Sequence, residues 1–247
     1  MIAIISPAKN MKPAVSSTPP FSIPVFLHNT QQIVEKLRTY TPWELQSLMH
    51  INEKIALDSM ERYHAMNFDN NGTSAIETYD GIQYKYMNIH SLTKSEKNFA
   101  QNHIRILSGA YGVLKPYDSI YEYRLEMLTK LPLGDTKSLY HYWKNRLYQE
   151  ITKEDRVIIN LASTEYSKCI QNYLTDKDRF ITCTFKVMNK GRYKVLATAA
   201  KMARGQMVEY IIKNKINSVK GIQSFTRGGF FFHPEESTNT NLVFLQK

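Results

Sequence analysis

The order of apolar and polar positions predicts alternating strands and helices. Residues 1–6 form an apolar run closed by Pro7, which reads as a buried strand. Between residues 13 and 24, Pro13, Pro19, Pro20 and Pro24 stand among Ser and Thr, predicting an extended surface connection. A helix is expected near Thr30–Tyr40. The next start is sharper. Thr41 can cap, Pro42 suits the first helical position, and Glu44 completes a capping box. Asn52 is placed to cap a further helix carrying Ile55, Ala56, Met60 and Tyr63, so residues 41–64 read as two short helices with a tight connection. Asp69-Asn70-Asn71-Gly72 reads as a turn.

Thr93 and Glu96 form another capping box, and Ile104 and Ile106 alternate into Ser108-Gly109-Ala110-Tyr111-Gly112, a strand running into a loop. Leu139, Tyr142, Trp143, Leu147 and Ile151 share one helical face behind Ser138, predicting one helix over 138–151. Val157–Leu161 reads as an inner strand feeding a helix with Tyr166, Ile170 and Tyr173. A hairpin is expected over 180–196 around Asn189-Lys190-Gly191, then a helix near 199–213 and short strands near 230–233 and 242–246. The fold class expected is mixed α/β, a single domain over 1–247 with a mixed central sheet and an inserted helical piece.

Composition narrows this picture. The chain has 247 residues and is 43% hydrophobic, enough for a real core, which excludes wholesale disorder. No window approaches the roughly 20 apolar residues of a membrane span. The first residues lack the basic flank and longer apolar run of a signal peptide, so a cytoplasmic location is expected. Two cysteines, Cys169 and Cys183, are too few for a disulfide scaffold or a zinc site of their own. The histidines, His141 and His233 among them, have no metal-ligand spacing and read as surface or structural residues; no metal site is expected.

The formal charge is +10, and its distribution is uneven. Residues 186–220 hold nine basic residues and one acid, Glu209, so +8 of the +10 lies there. Arg192 and Lys194 flank Tyr193, and Tyr210 lies further on. Such a stripe reads either as a solvated surface or as a contact for an anionic partner.

No standard catalytic signature is present, but five segments ask for more than a core requires. Ser6-Pro7-Ala8-Lys9 follows a strand; it is a turn with a surface lysine, or a strand-end phosphate site. In Ser108–Gly112, Gly109, Tyr111 and Gly112 make an ordinary loop or one that lets a ligand approach. Tyr123-Arg124-Leu125-Glu126-Met127, read as a strand, puts Arg124 and Glu126 on one face, as a salt bridge or as cleft residues. Asn160–Lys168 opens from strand to helix, with Ser163, Glu165 and Lys168 near free amides. Lys201, Arg204 and Gly205 share a helical face, and Gly205 permits close approach of either a helix or a ligand.

In this colinear order the segments, together with Leu139-Tyr140 and Trp143, resemble the YaaA peroxide-stress family over nearly the whole chain. The resemblance implies a DNA-binding protein that limits iron-dependent oxidative damage, with a basic cleft and a helix-hairpin-helix, here residues 41–64. Lys54 and Arg62 are the cations of that element, and its connection, Met49–Asn52, has no glycine. The sequence departs from the family pattern at Lys144-Asn145, where Gly-Asp is expected, at Glu122, where Pro is expected, and at Ala199, where Tyr is expected. The primary expectation is therefore a binder of double-stranded DNA without strong sequence preference, through Lys9, Lys54, Arg62, Ser163, Lys168, Arg192, Lys194, Lys201 and Arg204. The rival is an enzyme of unknown reaction and unknown cofactor for a small anionic, nucleotide-like ligand. Its candidate catalytic groups are Tyr123, Arg124, Glu126 and Glu165. Ser6, Ser108, Gly109, Tyr111, Gly112, Asn160 and Gly205 would shape its ligand loops. Acids that repel phosphate are what favour the rival.

Overall fold

The computed structural model describes residues 1–12, 19–69 and 72–246. Strands β1 (Ile2–Ile5) and β2 (Asn10–Met11) precede helices α1 (Leu27–Arg38), α2 (Pro42–Met49) and α3 (Glu53–Ala65). Short pieces follow: β3 (Thr73–Ser74), α4 (Ala75–Thr78), β4 (Tyr79–Asp80) and α5 (Ile82–Lys85). Helix α6 (Lys94–His103) runs into β5 (Ile104–Ser108), then β6 (Gly112–Leu114) and β7 (Ser119–Ile120). Helices α7 (Leu139–Trp143) and α8 (Arg146–Glu154) lead to β8 (Val157–Leu161) and α9 (Thr164–Gln171). The chain continues through β9 (Arg179–Asn189), β10 (Arg192–Lys194), α10 (Ala197–Lys213), α11 (Val219–Gln223), β11 (Phe230–Phe232) and β12 (Asn241–Gln246).

Eight of these strands form one mixed sheet in the order β11-β12-β9-β8-β1-β5-β6, with β10 on β9. Neighbours within β12-β9-β8-β1-β5 are parallel; β6, β10 and β11 add antiparallel edges. Ile4, Ile5, Ile106, Ile158 and Ile159 are fully buried, as strands covered on both faces require. Strand β1 sits between β5 and β8, so successive connections leave it on opposite sides. That is a topological switch point, and the crevice at the C-terminal ends of β1 and β8 is where such sheets take ligands.

Local chemistry explains the helix ends. Thr41 and Glu44 make both bonds of the capping box, and the Asn52 side chain accepts from the Ile55 N–H at 2.9 Å. Thr93 and Glu96 repeat the box at α6. Three expectations need correction. The helix read over 138–151 is two helices, because Lys144 adopts φ 47° and ψ −131° and breaks the ladder between α7 and α8. The apolar face survives the break: Leu139, Trp143, Leu147 and Ile151 are all buried. Residues 121–127 are not a strand; they form an irregular segment pinned by the Tyr123 N–H to Met11 Sδ at 3.3 Å. The basic residues of 186–220 are not one stripe, since they are divided among β9, β10, α10 and α11. Of the expected 13–24 connection, residues 13–18 lie outside the described residues, as do Asn70 and Asn71 of the expected turn.

Candidate functional site

A cavity of about 400 Å³ opens at the switch point. One wall is the loop after β1, with Ser6 and Lys9; another is the segment Tyr123–Glu126. Ser163, Glu165 and Tyr166 come from the start of α9, and Lys201 and Arg204 from α10. The last wall, Asp80–Tyr84, was not singled out in the sequence; the Asp80-Gly81 pair was the available turn signal. Gly81 lets that wall lie against the β1 loop, since a Cβ there would stand 2.9 Å from Ala8 Cβ.

The register of β1 on β8 sets the floor. Ile5 pairs with Leu161, and the Ser163 N–H then donates to Ser6 Oγ at 2.8 Å. Ser163 sits at the N-cap of α9 without making a side-chain cap bond. Asn160 shapes this turn from beneath, accepting from the Ala162 N–H at 2.9 Å and donating to Thr182 Oγ1 at 3.2 Å; it does not line the cavity.

The loop after β5 also works from behind. Tyr123 hydroxyl lies 2.6 Å from Ser108 Oγ and 2.7 Å from Tyr79 hydroxyl. Tyr111 hydroxyl accepts from the Tyr121 N–H at 2.9 Å. Gly109 is close to backbone rather than to the cavity: a Cβ would lie 2.6 Å from the Leu125 carbonyl oxygen. Gly112 has φ +71° and faces Trp143, Leu147 and Phe26. Gly205 serves a helix contact, since a Cβ there would overlap the Gln83 carbonyl oxygen of α5. Of the seven ligand-loop candidates, only Ser6 lines the cavity; Ser108, Gly109, Tyr111, Gly112, Asn160 and Gly205 support its walls.

The charges fall into two groups. Glu126 receives Lys9 at 2.8 Å and Arg124 at 2.9 Å, so these three neutralise one another to a net single positive charge. Glu165 accepts from the Leu128 N–H at 3.2 Å; burial pushes its carboxyl up, and nearby Glu126 adds to the rise. Burial pushes the Arg204 guanidinium down, opposed only by Cys183; no carboxylate acts on it. Lys201 is exposed at the rim and has no carboxylate partner among the described residues.

Three buried N–H donors here lack acceptors: Gln83 Nε2, Arg124 Nε and Arg204 Nε. The described residues contain five such unpartnered buried atoms in all, and three of them belong to side chains that line this cavity. Gln83 is only 7% exposed. Each orphaned donor costs on the order of 1–3 kcal/mol.

Tyr123, Tyr84 and Tyr166 line the cavity as neutral phenols, with burial raising each, Tyr123 to about 12. Their hydroxyls are engaged elsewhere: Tyr84 donates to the Ser6 carbonyl at 2.9 Å, and Tyr166 bonds the Met127 backbone. Tyr123 is thus a poor proton donor. Glu165 is the carboxyl whose perturbed acidity fits proton transfer.

Other candidates lie apart from the cavity. Lys168 is exposed on α9, and Arg192 and Lys194 are exposed on β10. Lys54 is exposed on α3, and Arg62 pairs with Glu122 at 3.2 Å. The helix pair α2–α3 nevertheless touches the cavity segment, because Tyr63 hydroxyl donates to the Arg124 carbonyl. Cys169 and Cys183 are buried thiols that burial raises to about 12, whereas peroxide attacks thiolates. No group of three or more His, Cys, Asp or Glu among the described residues is arranged to hold a metal ion. No described helix is long and apolar enough to cross a membrane.

Comparison with known proteins places this geometry in a family. The chain is 47% identical over 247 residues to a UPF0246 protein of Clostridioides difficile (strain 630), covering all of both chains. It is 40% identical over 247 residues to a UPF0246 protein of Agathobacter rectalis, covering 100% of this chain and 99% of the relative. A UPF0246 protein of Ligilactobacillus salivarius is 39% identical over 246 residues, with both chains covered in full. Residues 1–236 match the family model described as peroxide stress protein YaaA, and the chain belongs to that family.

Proposed function

We propose that the protein serves peroxide stress by binding an anionic, nucleotide-like or phosphorylated small molecule in the switch-point cavity. The observation that carries this reading is that Arg204 lines the cavity with no ion pair among the described residues, beside Gln83 and Arg124, each of which also holds an unpartnered buried N–H. Lys201 and Arg204 have no carboxylate partner, so they can neutralise a phosphate without first breaking an ion pair. A volume of about 400 Å³ falls within the roughly 300–1,000 Å³ of small-ligand sites. Calorimetric titration with inorganic phosphate and nucleoside monophosphates tests it. The native chain is expected to bind, and R204E to lose at least about tenfold in affinity. Equal affinity in a folded R204E protein would overturn the reading.

A second reading is contact with the backbone of duplex DNA, shielding it from iron-dependent damage. It is favoured by the exposed cations: Lys9 and Lys201 at the rim, and Arg192 and Lys194 on β10. The helix pair favours it less. Residues 41–64 carry four acids (Glu44, Glu53, Asp58, Glu61) against Lys54 and Arg62. One amide at the start of α3 is also already taken by Asn52. Duplex affinity measured against salt distinguishes the contributions. K201E/R204E and R192E/K194E should each weaken binding across sequences and flatten its salt slope. An unaltered slope in both variants would remove these cations from any DNA contact.

A further inference from the structure

Resting on the anion-binding reading, we propose that the cavity takes a free nucleoside monophosphate whose base offers adjacent N–H donors, as guanine does. Its phosphate would meet Arg204, Gln83 and Lys201, and its base edge would meet Glu165.

The cavity has two chemically opposite sides. On α10 and α5, Arg204, Gln83 and Lys201 present donors and positive charge, and no carboxylate acts on Arg204. On α9 and the segment Tyr123–Glu126, which supply other walls, Glu165 and Glu126 act on each other. Glu126 is paired with the cations Lys9 and Arg124, one on each oxygen, so its charge is neutralised. Glu165 is different: it has no ion pair among the described residues, and it accepts from the Leu128 N–H at 3.2 Å and from the Met127 backbone, which leaves about two of a carboxylate's four acceptor sites. A plain phosphate would satisfy one side and be repelled by the other. A ligand with an anion at one end and paired N–H groups at the other satisfies both.

The walls between the two sides suit a flat ring. Tyr84, Tyr123 and Tyr166 have their hydroxyls bonded to Ser6, to Ser108 and Tyr79, and to Met127. What remains for the cavity is their aromatic surface, which favours a planar, apolar-faced group. Among nucleobases, guanine presents a ring N–H beside an amino group, the pattern a single carboxylate can accept from twice. Adenine presents no ring N–H on that edge.

The test is calorimetric titration of the full chain with GMP, IMP, AMP and inorganic phosphate, and with a short duplex. GMP should bind most tightly. IMP, which lacks the amino group, and AMP, which lacks the ring N–H, should each bind about tenfold or more weakly. E165Q should bring GMP and AMP within about threefold of each other without weakening the binding of phosphate. GMP, AMP and phosphate binding equally would overturn the base assignment and leave the anion site standing. No binding of any of them, by a chain shown folded by circular dichroism, would overturn both. Binding of the duplex without binding of any mononucleotide would also overturn the proposal, in favour of the DNA backbone.

Discussion

Lys144 is a residue at which the backbone conformation carries a clear physical cost. Its φ of 47° and ψ of −131° lie where a Cβ is crowded and glycine is not. Glycine suits this position better, because α7 stops at Trp143 and α8 starts at Arg146, only two residues on. Strain of this kind is worth roughly 1–3 kcal/mol, and glycine's extra chain entropy returns part of the gain. K144G should therefore raise stability by about 1 kcal/mol in urea unfolding, with its midpoint shifted and its slope unchanged. Lys144 is exposed and does not line the cavity, so ligand affinity should not follow. The same scale shows why site residues were only partly legible. Lys201, Arg204, Glu126 and Glu165 were found because charge beside small residues is conspicuous. Gln83 was not, because a neutral amide acquires meaning only when burial leaves it without a partner.

At the scale of elements, capping chemistry made the helix starts readable. Thr41-Pro42 with Glu44, Asn52, and Thr93 with Glu96 act within four residues, so sequence alone specifies them. The glycines were harder, because their purpose is set by a partner distant in sequence. Gly205 on α10 and Gly109 after β5 both permit close approach, but to the Gln83 and Leu125 carbonyl oxygens rather than to a ligand. G205A tests this. In an open helix the change would stabilise by ~1 kcal/mol. Here the new methyl meets backbone, and the net effect should be a loss of about 1–3 kcal/mol. A thermal melt should show it, at roughly 2–4 °C for each kcal/mol. An unchanged or raised melting temperature would mean that α5 can retreat from α10. The irregular segment 121–127 misled for a related reason. Alternating residues suggested a strand, but the Tyr123 bonds to Ser108, Tyr79 and Met11 come from three separate parts of the chain.

At the scale of the whole molecule, topology assembles the site. Strand β1 lies between β5 and β8, and parallel pairing brings Ser6 beside Ser163, 157 residues apart. Alternating strand and helix patterns predicted the α/β class, but strand order depends on long-range pairing that no local pattern encodes. The bulk charge was also misleading as a map. Of the nine cations in residues 186–220, four lie on β10, at the end of α10 and on α11, and only Lys201 and Arg204 line the cavity. What marks the cavity is not excess charge but three lining side chains with unpartnered buried N–H groups, one of them an arginine without an ion pair among the described residues. An experimental structure of the chain crystallised with a nucleoside monophosphate tests that claim most directly. A phosphate oxygen within about 3 Å of the Arg204 guanidinium, with the ligand lying in the cavity beside Gln83 and Lys201, is the expected result. A cavity without ligand, with the nucleotide bound on β10 or on the α2–α3 pair instead, would contradict it.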